Sequence, residues 1–471
     1  MNPFFIPIYQ LYLLQLENYE LNRYWPLLFQ KGCIFSNQPL RKSIVWTQKA
    51  IGMLTLAVLC YVGALVIVLF STSLVFALIS LIIGFFLFPV FYTFSLCILF
   101  PIDTLIKFIV ITRAKHKLSS TNVKIIGIAG SYGKTTMKNV ISSVLSTKFS
   151  VITTPESVNT PIGIAQWLIK TLTKQAEIVI VEMGEHYRGD IRGLCKIYPP
   201  DIAILTGINE AHLERLKTLE TSIATMFEIV EHAKPDAHII LNADDEHIRN
   251  SYRKYRKDKQ LSFYSSLNNS LAELKITKKI FDEENLRWVC TIEKVGNTTL
   301  RLLGEYALGD VIASILIGKS LGMNNEEVTK GINSLSPIPH RLEPIQGKEG
   351  VLVIDDSYNG NPDGVREAIR VLSHFKKRRK IFITPGLVEM GMKASIVHET
   401  IGRELAGVAD RVILIKNSVT PFIEKGLKEK KFDESHIIWF NTATETHNKL
   451  SDIIRPNDVV LFQNDWGDQY V

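Results

Sequence analysis

The chain has 471 residues, 46% hydrophobic and 21% charged, with 54 Lys and Arg against 47 Asp and Glu for a formal charge of +7. This composition excludes a disordered polymer, a collagen and a small disulfide-stapled module, and its apolar mass suffices for two or three domains of about 150 residues. The positive surplus is modest for the length and by itself argues neither for nor against nucleic acid, though no nucleic-acid partner is expected, and the 5 scattered cysteines, without CxxC or zinc-ligand spacing, read as reduced thiols.

Residues 1–48 mix aromatics, leucines and a few charges (FFIPIYQLYLLQLENYELNRYWPLLF). They read either as a helix lying at a membrane interface or as a packed helical cap. Between Lys49 and Asp103 no residue is charged. A bilayer core takes roughly 20 apolar residues per helix. Residues 49–102 therefore predict two crossings, Ile51–Phe70 and Leu74–Phe100, turning at Ser71, Thr72 and Ser73. Arg41, Lys42 and Lys49 precede this hairpin, and Lys107, Arg113, Lys115 and Lys117 follow it, while the turn carries no charge. The positive-inside rule then places a multi-pass hairpin in the cell (inner) membrane with both ends cytoplasmic. Residues 103–120, including the basic RAKHK, read as a juxtamembrane exit at the lipid surface.

After residue 120 short β-branched runs alternate with helix-like segments, the mark of βαβ units and a mostly parallel sheet. Strands are predicted at 123–130, 149–154, 177–183, 201–208 and 238–244, then a more polar antiparallel stretch over 258–304 and a helix over 307–321. A second α/β domain, Rossmann-like, begins after the proline cluster SPIPH, with strands at 351–356, 380–385, 411–415, 436–440 and 458–462. The expected fold is α/β throughout the soluble part: a transmembrane helical hairpin, a P-loop central domain over 121–338 and a C-terminal domain over 339–471.

The strongest local signal is Gly127-Ile-Ala-Gly130-Ser131-Tyr132-Gly133-Lys134-Thr135-Thr136, between an apolar strand and a helical stretch. Glycines let backbone N–H groups approach phosphate oxygens, the helix offers its positive end, and Lys134 can reach the β and γ phosphates. Thr135 is placed to hold Mg²⁺ through its hydroxyl. The spacing is one residue off GxxxxGK[ST], because position 128 is Ile. Glu182, ending EIVIVEM, and His212, in GINEAHLE, stand where such a site needs metal ligands; taken singly, each also reads as a cap or an ordinary polar contact. Arg341 falls at the domain junction. Asp355-Asp356-Ser357-Tyr358-Asn359-Gly360-Asn361-Pro362 ends the next strand and reads either as turn chemistry or as a ribose and phosphate contact.

Together these pieces resemble the Mur ligase family, ATP-dependent amide ligases that extend the muramyl peptide of peptidoglycan, and within it the type that adds D-alanyl-D-alanine. The resemblance is carried by GIAGSYGKTT, NTPIGI (159–164), VEMGEHYRGDI (181–191), GINEAHLE (207–214), LNADDEH (241–247), HRLE (340–343), DDSYNGNPDG (355–364) and TPGLVEMG (384–391), in family order. It implies ATP and Mg²⁺ as cofactors. Lys134, Glu182 and His212 become catalytic, and Thr135, Glu182 and His212 metal ligands. Gly130, Ser131, Tyr132, Gly133, Lys134, Thr135, Thr136, Asp310, Arg341 and Asp356 hold the nucleotide, and Asn159, Asn359 and Asn361 face the substrate. The implied partners are a muramyl peptide, UDP- or lipid-linked, an amino acid or dipeptide, membrane lipid and other cell-wall enzymes. Other ligases of this fold, MurT-like or folylpolyglutamate-synthetase-like, and a non-catalytic ATP-binding membrane scaffold are the alternatives.

Three departures from the family stand out. Met226 occupies the place of a carbamylated lysine, with Glu228 a possible substitute. GEYALGDVIAS (304–314) replaces a His-Asn-rich helix start with Tyr306 and Asp310. The family's UDP-binding N-terminal domain has no counterpart, its place being taken by the hairpin.

Overall fold

The computed structural model describes residues 5–30, 44–71, 74–156, 158–209, 216–255, 258–358, 360–387 and 390–463. The chain divides into two compact units, residues 1–110 and 111–471.

The first unit is helical: α1 (Phe5–Leu16), α2 (Leu21–Gln30), α3 (Gln48–Ser71), α4 (Leu74–Phe86) and the start of α5 (Phe88–Ser119). Leu11 and Leu14 of α1 are fully buried in a cluster with Met53 and Ala57 of α3 and Tyr92 of α5. Residues 5–16 are thus a packed cap rather than a free interfacial helix. α3 and α5 are long and apolar enough to cross a membrane, α3 reaching about 36 Å at 1.5 Å per residue. Their outward faces carry exposed large apolar side chains such as Ile67, Phe70, Phe94 and Phe100.

The expected second crossing, 74–100, is two helices rather than one. They meet at Leu87, two residues before Pro89, which lacks the N–H that a continuous helix would aim back one turn and crowds the residues before it. The Tyr61 hydroxyl donates to the Leu81 carbonyl at 2.7 Å, beside the break. Nor does the helix stop at the end of the apolar run, since α5 continues through the basic segment to Ser119.

In the second unit, β1 (Lys124–Ala129) leads into α6 (Lys134–Leu145), and a six-stranded sheet runs in the order β2-β3-β1-β4-β5-β6. Its members β2 (Val151–Thr153), β3 (Ile178–Glu182), β4 (Ile202–Leu205), β5 (His238–Asn242) and β6 (Gln260–Tyr264) all pair in parallel. Both faces are covered by apolar clusters, which is why β1 reads as an unbroken apolar run. The expected antiparallel stretch over 258–304 is corrected here. β6 belongs to the parallel sheet, and only β7 (Ile276–Asp282), β8 (Arg287–Ile292) and β9 (Gly296–Leu300) form an antiparallel meander.

α7 (Pro161–Thr171), α8 (Asp190–Ile197), α9 (Leu219–His232) and α10 (Glu246–Tyr255) connect successive strands from β2 to β6, and α11 (Tyr306–Ser320) and α12 (Asn325–Asn333) follow β9. The second sheet has the order β10-β11-β15-β12-β13-β14. β10 (Glu343–Gln346), absent from the sequence reading, runs antiparallel to β11 (Leu352–Asp356). β12 (Lys380–Thr384), β13 (Arg411–Ile415), β14 (Ile437–Phe440) and β15 (Val459–Gln463) are parallel. α13 (Pro362–His374) follows β11. The carboxyl ends of β1, β3 and β11 place their loops on one cavity, as open α/β sheets do.

Candidate functional site

The cavity, about 780 Å³, lies between the two α/β lobes and is lined from both. On the β1 side the loop Gly130–Gly133 turns through left-handed backbone at Gly130 (φ 147) and Gly133 (φ 78). A Cβ at Gly130 would meet the Thr206 hydroxyl and the backbone of Gly207, so this position needs glycine. The loop is held down by Ser131 N–H donating to Gly207 O at 2.8 Å and by Thr206 Oγ1 donating to Tyr132 O at 2.5 Å. Tyr132 Oη donates to Asp245 Oδ2 at 3.2 Å, and the same carboxylate accepts from the Ile208 and Ile248 amides. Burial still leaves the Asp245 carboxyl above its usual range. Ser131 Oγ is buried with no hydrogen-bond partner among the described residues. A buried orphan hydroxyl at the start of a helix that turns its free amides to the cavity fits an anion such as phosphate.

Lys134 donates to Gly130 O and lies 3.2 Å from the buried Glu185. Thr135 Oγ1 donates to Glu182 Oε2 at 3.2 Å, and Lys138 Nζ reaches that same oxygen at 3.0 Å. Thr135 and Glu182 thus touch and offer the hydroxyl and carboxylate oxygens that suit Mg²⁺. Asn159 also lines this wall, its carbonyl accepting from Gly184 N at 3.1 Å.

From the other lobe, Arg341 donates to Tyr358 O at 2.9 Å and stacks its guanidinium on the Tyr358 ring, 4.7 Å from the centroid. Asp356 lines the cavity and accepts from Leu342 N. Loss of solvent raises its carboxyl to about 7, with Arg341 opposing the rise. Thr136 hydrogen-bonds the Tyr306 hydroxyl. Asp310, on α11 of the central lobe, is buried and also lines the cavity. Asn361 caps α13, accepting from the Asp363 and Gly364 amides at 3.1 Å, and takes a further hydrogen bond from Asn209 Nδ2 across the lobes. Its oxygen is therefore committed to the fold. His212 and Asn359 lie outside the described residues.

The idea that Glu228 could replace the missing lysine is corrected. Its two oxygens accept from Gly189 N and Arg192 N at 2.9 Å, tying off the start of α8. Met226 is fully buried in the apolar cluster behind the sheet. Neither faces the cavity. Sequence reasoning missed Lys138, Glu185, Thr206, Asn209 and Asp245. Glu185, Asn209 and Asp245 stood within quoted motifs without being singled out; Lys138 and Thr206 are ordinary residue types whose placement depends on the sheet.

Comparison with known proteins follows the same outline. Residues 128–318 match the Mur ligase middle domain and residues 340–463 the Mur ligase glutamate ligase domain. The UDP-N-acetylmuramoyl-tripeptide–D-alanyl-D-alanine ligase of Bacillus subtilis is 25% identical over 75% of this chain and 76% of its own length. The enzyme of the same name from Mycobacterium tuberculosis is 26% identical, and the chain spans 58% of its length. The crystal structure of MurF ligase from Thermotoga maritima in complex with ADP is similar at a TM-score of 0.67 and 26% identity, covering 76% of this chain and 80% of that one.

Proposed function

Because the chain belongs to the Mur ligase family, through both its middle and its glutamate ligase domains, we propose that it is an ATP-dependent amide ligase acting on a muramyl peptide in peptidoglycan precursor synthesis. The observation that carries this reading is the cavity itself: the Gly130–Thr136 loop with its orphan Ser131 hydroxyl on one wall, Arg341 and Asp356 on the other.

In the ligation a peptide carboxylate oxygen attacks the γ-phosphorus of ATP and ADP leaves, giving an acyl phosphate. The acceptor amine nitrogen then attacks the acyl carbon, phosphate leaves and the amine gives up a proton. The protein's task is mostly to handle charge, because an anionic carboxylate must approach anionic phosphates. The loop amides and Ser131 orient the phosphates, and Lys134 moves from Gly130 O and Glu185 to neutralise them. Arg341 adds charge from the second lobe, and two facing walls exclude water from the acyl phosphate. Thr135 and Glu182, with His212 as the family resemblance implies, would hold Mg²⁺, which when bound would supply positive charge to the phosphoryl group. Asn159 and Asn361 would serve the peptide side, as the family resemblance implies.

The relatives' names support a muramyl tripeptide and D-alanyl-D-alanine as the substrate pair. The apolar helices α3 to α5 support an anchor in the cytoplasmic membrane, with the ligase lobes in the cytoplasm and a lipid-linked precursor within reach. The test uses the full-length protein in detergent. Phosphate release from ATP should require both a muramyl peptide, UDP- or lipid-linked, and an amine, with a new amide seen by mass spectrometry. Absence of any stimulation by these acceptors would reject the ligase and leave the ATP-binding scaffold.

A further inference from the structure

The central lobe holds the two ends of α13 in different ways. At the C-terminal end the His374 ring stacks on Phe281 of β7, with centroids 5.2 Å apart, and meets Trp288 of β8 edge-on at 5.1 Å; Phe375 meets Phe281 edge-on at 5.6 Å. Charged groups surround this aromatic contact. Glu283 accepts from Lys376 N at 3.1 Å, Lys377 pairs with Glu284 at 2.9 Å, and Arg370 lies 3.9 Å from Glu305. At the N-terminal end, about 18 Å away at 1.5 Å per residue, the lobes are joined by Asn209. It follows β4, is 8% exposed, and donates from Nδ2 to Asp363 Oδ2 at 2.8 Å and to Asn361 Oδ1 at 3.3 Å.

The orientation of the Asn209 amide is fixed by its partners. Asn361 Oδ1 accepts from the Asp363 and Gly364 amides, and the other Asp363 oxygen accepts from Arg366. Both groups present acceptors, so Asn209 must turn its nitrogen to them. The backbone that carries Asn209 is also the support of the phosphate loop. Gly207 O accepts from Ser131 N, and a Cβ at Gly207 would run into the Tyr132 ring. Ile208 N donates to Asp245, the carboxylate that also holds Tyr132 Oη. Asn209 therefore ties the loop to the first turn of α13, from which Asp363, Arg366 and Glu367 line the cavity.

We propose that Asn209 is a positioning residue that latches the C-terminal lobe to the phosphate loop, with the meander end of α13 as the pivot. Two hydrogen bonds can open and re-form while the aromatic contact at the other end persists, so the lobes part on the cavity side. Closing the latch brings Asp356 and Arg366 up to the loop without Asn209 touching a substrate. The effect on turnover rests on the ligase reading; the contact between the lobes does not.

The experiment uses the full-length protein in detergent, as wild type, Asn209→Asp, Asp363→Asn and the double variant. Asn209→Asp sets a carboxylate against that of Asp363 and should open the latch; the double variant exchanges donor and acceptor and should close it. Spin labels on Glu220→Cys and Ile396→Cys, exposed on the two lobes, report the separation in a background cleared of reactive cysteines. Their distance distribution should shift and broaden in Asn209→Asp and return in the double variant. Acceptor-stimulated phosphate release should lose about tenfold or more in kcat in Asn209→Asp, the effect of opposed like charges. Calorimetric affinity for inorganic tripolyphosphate should stay within about twofold of wild type, and the double variant should turn over within about threefold of Asp363→Asn alone. Unchanged label distances in Asn209→Asp overturn the latch. So does a double variant as impaired as Asn209→Asp, since the new charge would then act elsewhere. Loss of tripolyphosphate binding in Asn209→Asp would assign the residue to the loop alone and overturn it too. If acceptors stimulate no phosphate release in wild type, the ligase reading fails and the label distances decide the latch by themselves.

Discussion

Lys138 Nζ sits 3.0 Å from Glu182 Oε2, the same oxygen that accepts the Thr135 hydroxyl, and the two charged side chains are only 3% and 7% exposed. Lys138 stands one helical turn beyond Lys134 and holds the Glu182 carboxylate in place beside Thr135. Removing one partner of a buried pair strands the other, at about 3 kcal/mol or more. Lys138→Met should therefore lower unfolding free energy by about that amount in denaturant melts. Glu182→Gln should cost a similar amount, and the double variant clearly less than the sum. Additive losses would show that the two residues do not act as a pair.

Glu185 sets up a second test. Its carboxylate lies 3.2 Å from Lys134 Nζ with its side chain 1% exposed, so Lys134 must give up this contact to reach a phosphate. Glu185 also puts a negative charge beside the phosphate site. Replacing it with Gln removes both effects, together on the order of 1 kcal/mol. ATP affinity of Glu185→Gln should rise by about fivefold in equilibrium titration. A weaker affinity would show that Glu185 works with a bound cation rather than against the phosphates.

The phosphate loop was legible because its chemistry is local: glycines, a lysine and two threonines at fixed spacing after a strand. So were Glu182 and Arg341, which stand at the end of a strand and at a domain junction. Lys138 was not, because a lysine on a helix usually faces solvent, and only the packing of α6 against β3 turns it inward. Asn361 read as a substrate contact, and the sequence did not show that its oxygen also caps α13. β6 looked polar because it is an edge strand of its sheet, and β10 is too short to announce itself. The break at Leu87 was foreshadowed by Pro89, but hydropathy averages over such a residue without registering it.

Asp356 gives the molecule a pH dependence whose sign is fixed by its surroundings. Its folded-state carboxyl is raised to about 7 by loss of solvent, from an ordinary value near 3.8. A raised carboxyl favours folding in its protonated form, so its contribution is complete below about pH 4 and is lost as pH rises toward 7. In the nucleotide-free protein, Asp356→Asn should match wild type near pH 4 and be more stable by about 4 kcal/mol at pH 8. Thermal melts of the two proteins across this range make the comparison, and a difference that does not change with pH would contradict the raised carboxyl.

The hairpin reading makes a prediction about sidedness. Lys49 and Asp103, the charges that bracket the uncharged run, lie 3.3 Å apart, with Lys107 2.9 Å from the same carboxylate. Both ends of the run therefore meet at one level, and Ser71, at the end of α3, stands at the other. If these helices cross a bilayer, the meeting point is cytoplasmic by the positive-inside rule and Ser71 is outside. In a cysteine-free background, Ser71→Cys should react with a membrane-impermeant maleimide on spheroplasts, whereas Ser119→Cys should react only after lysis. The protein should also stay with membranes in alkaline carbonate and leave them in detergent. Labelling of Ser119→Cys on intact spheroplasts would invert the topology, and carbonate extraction would make α3 to α5 a surface association instead of a crossing.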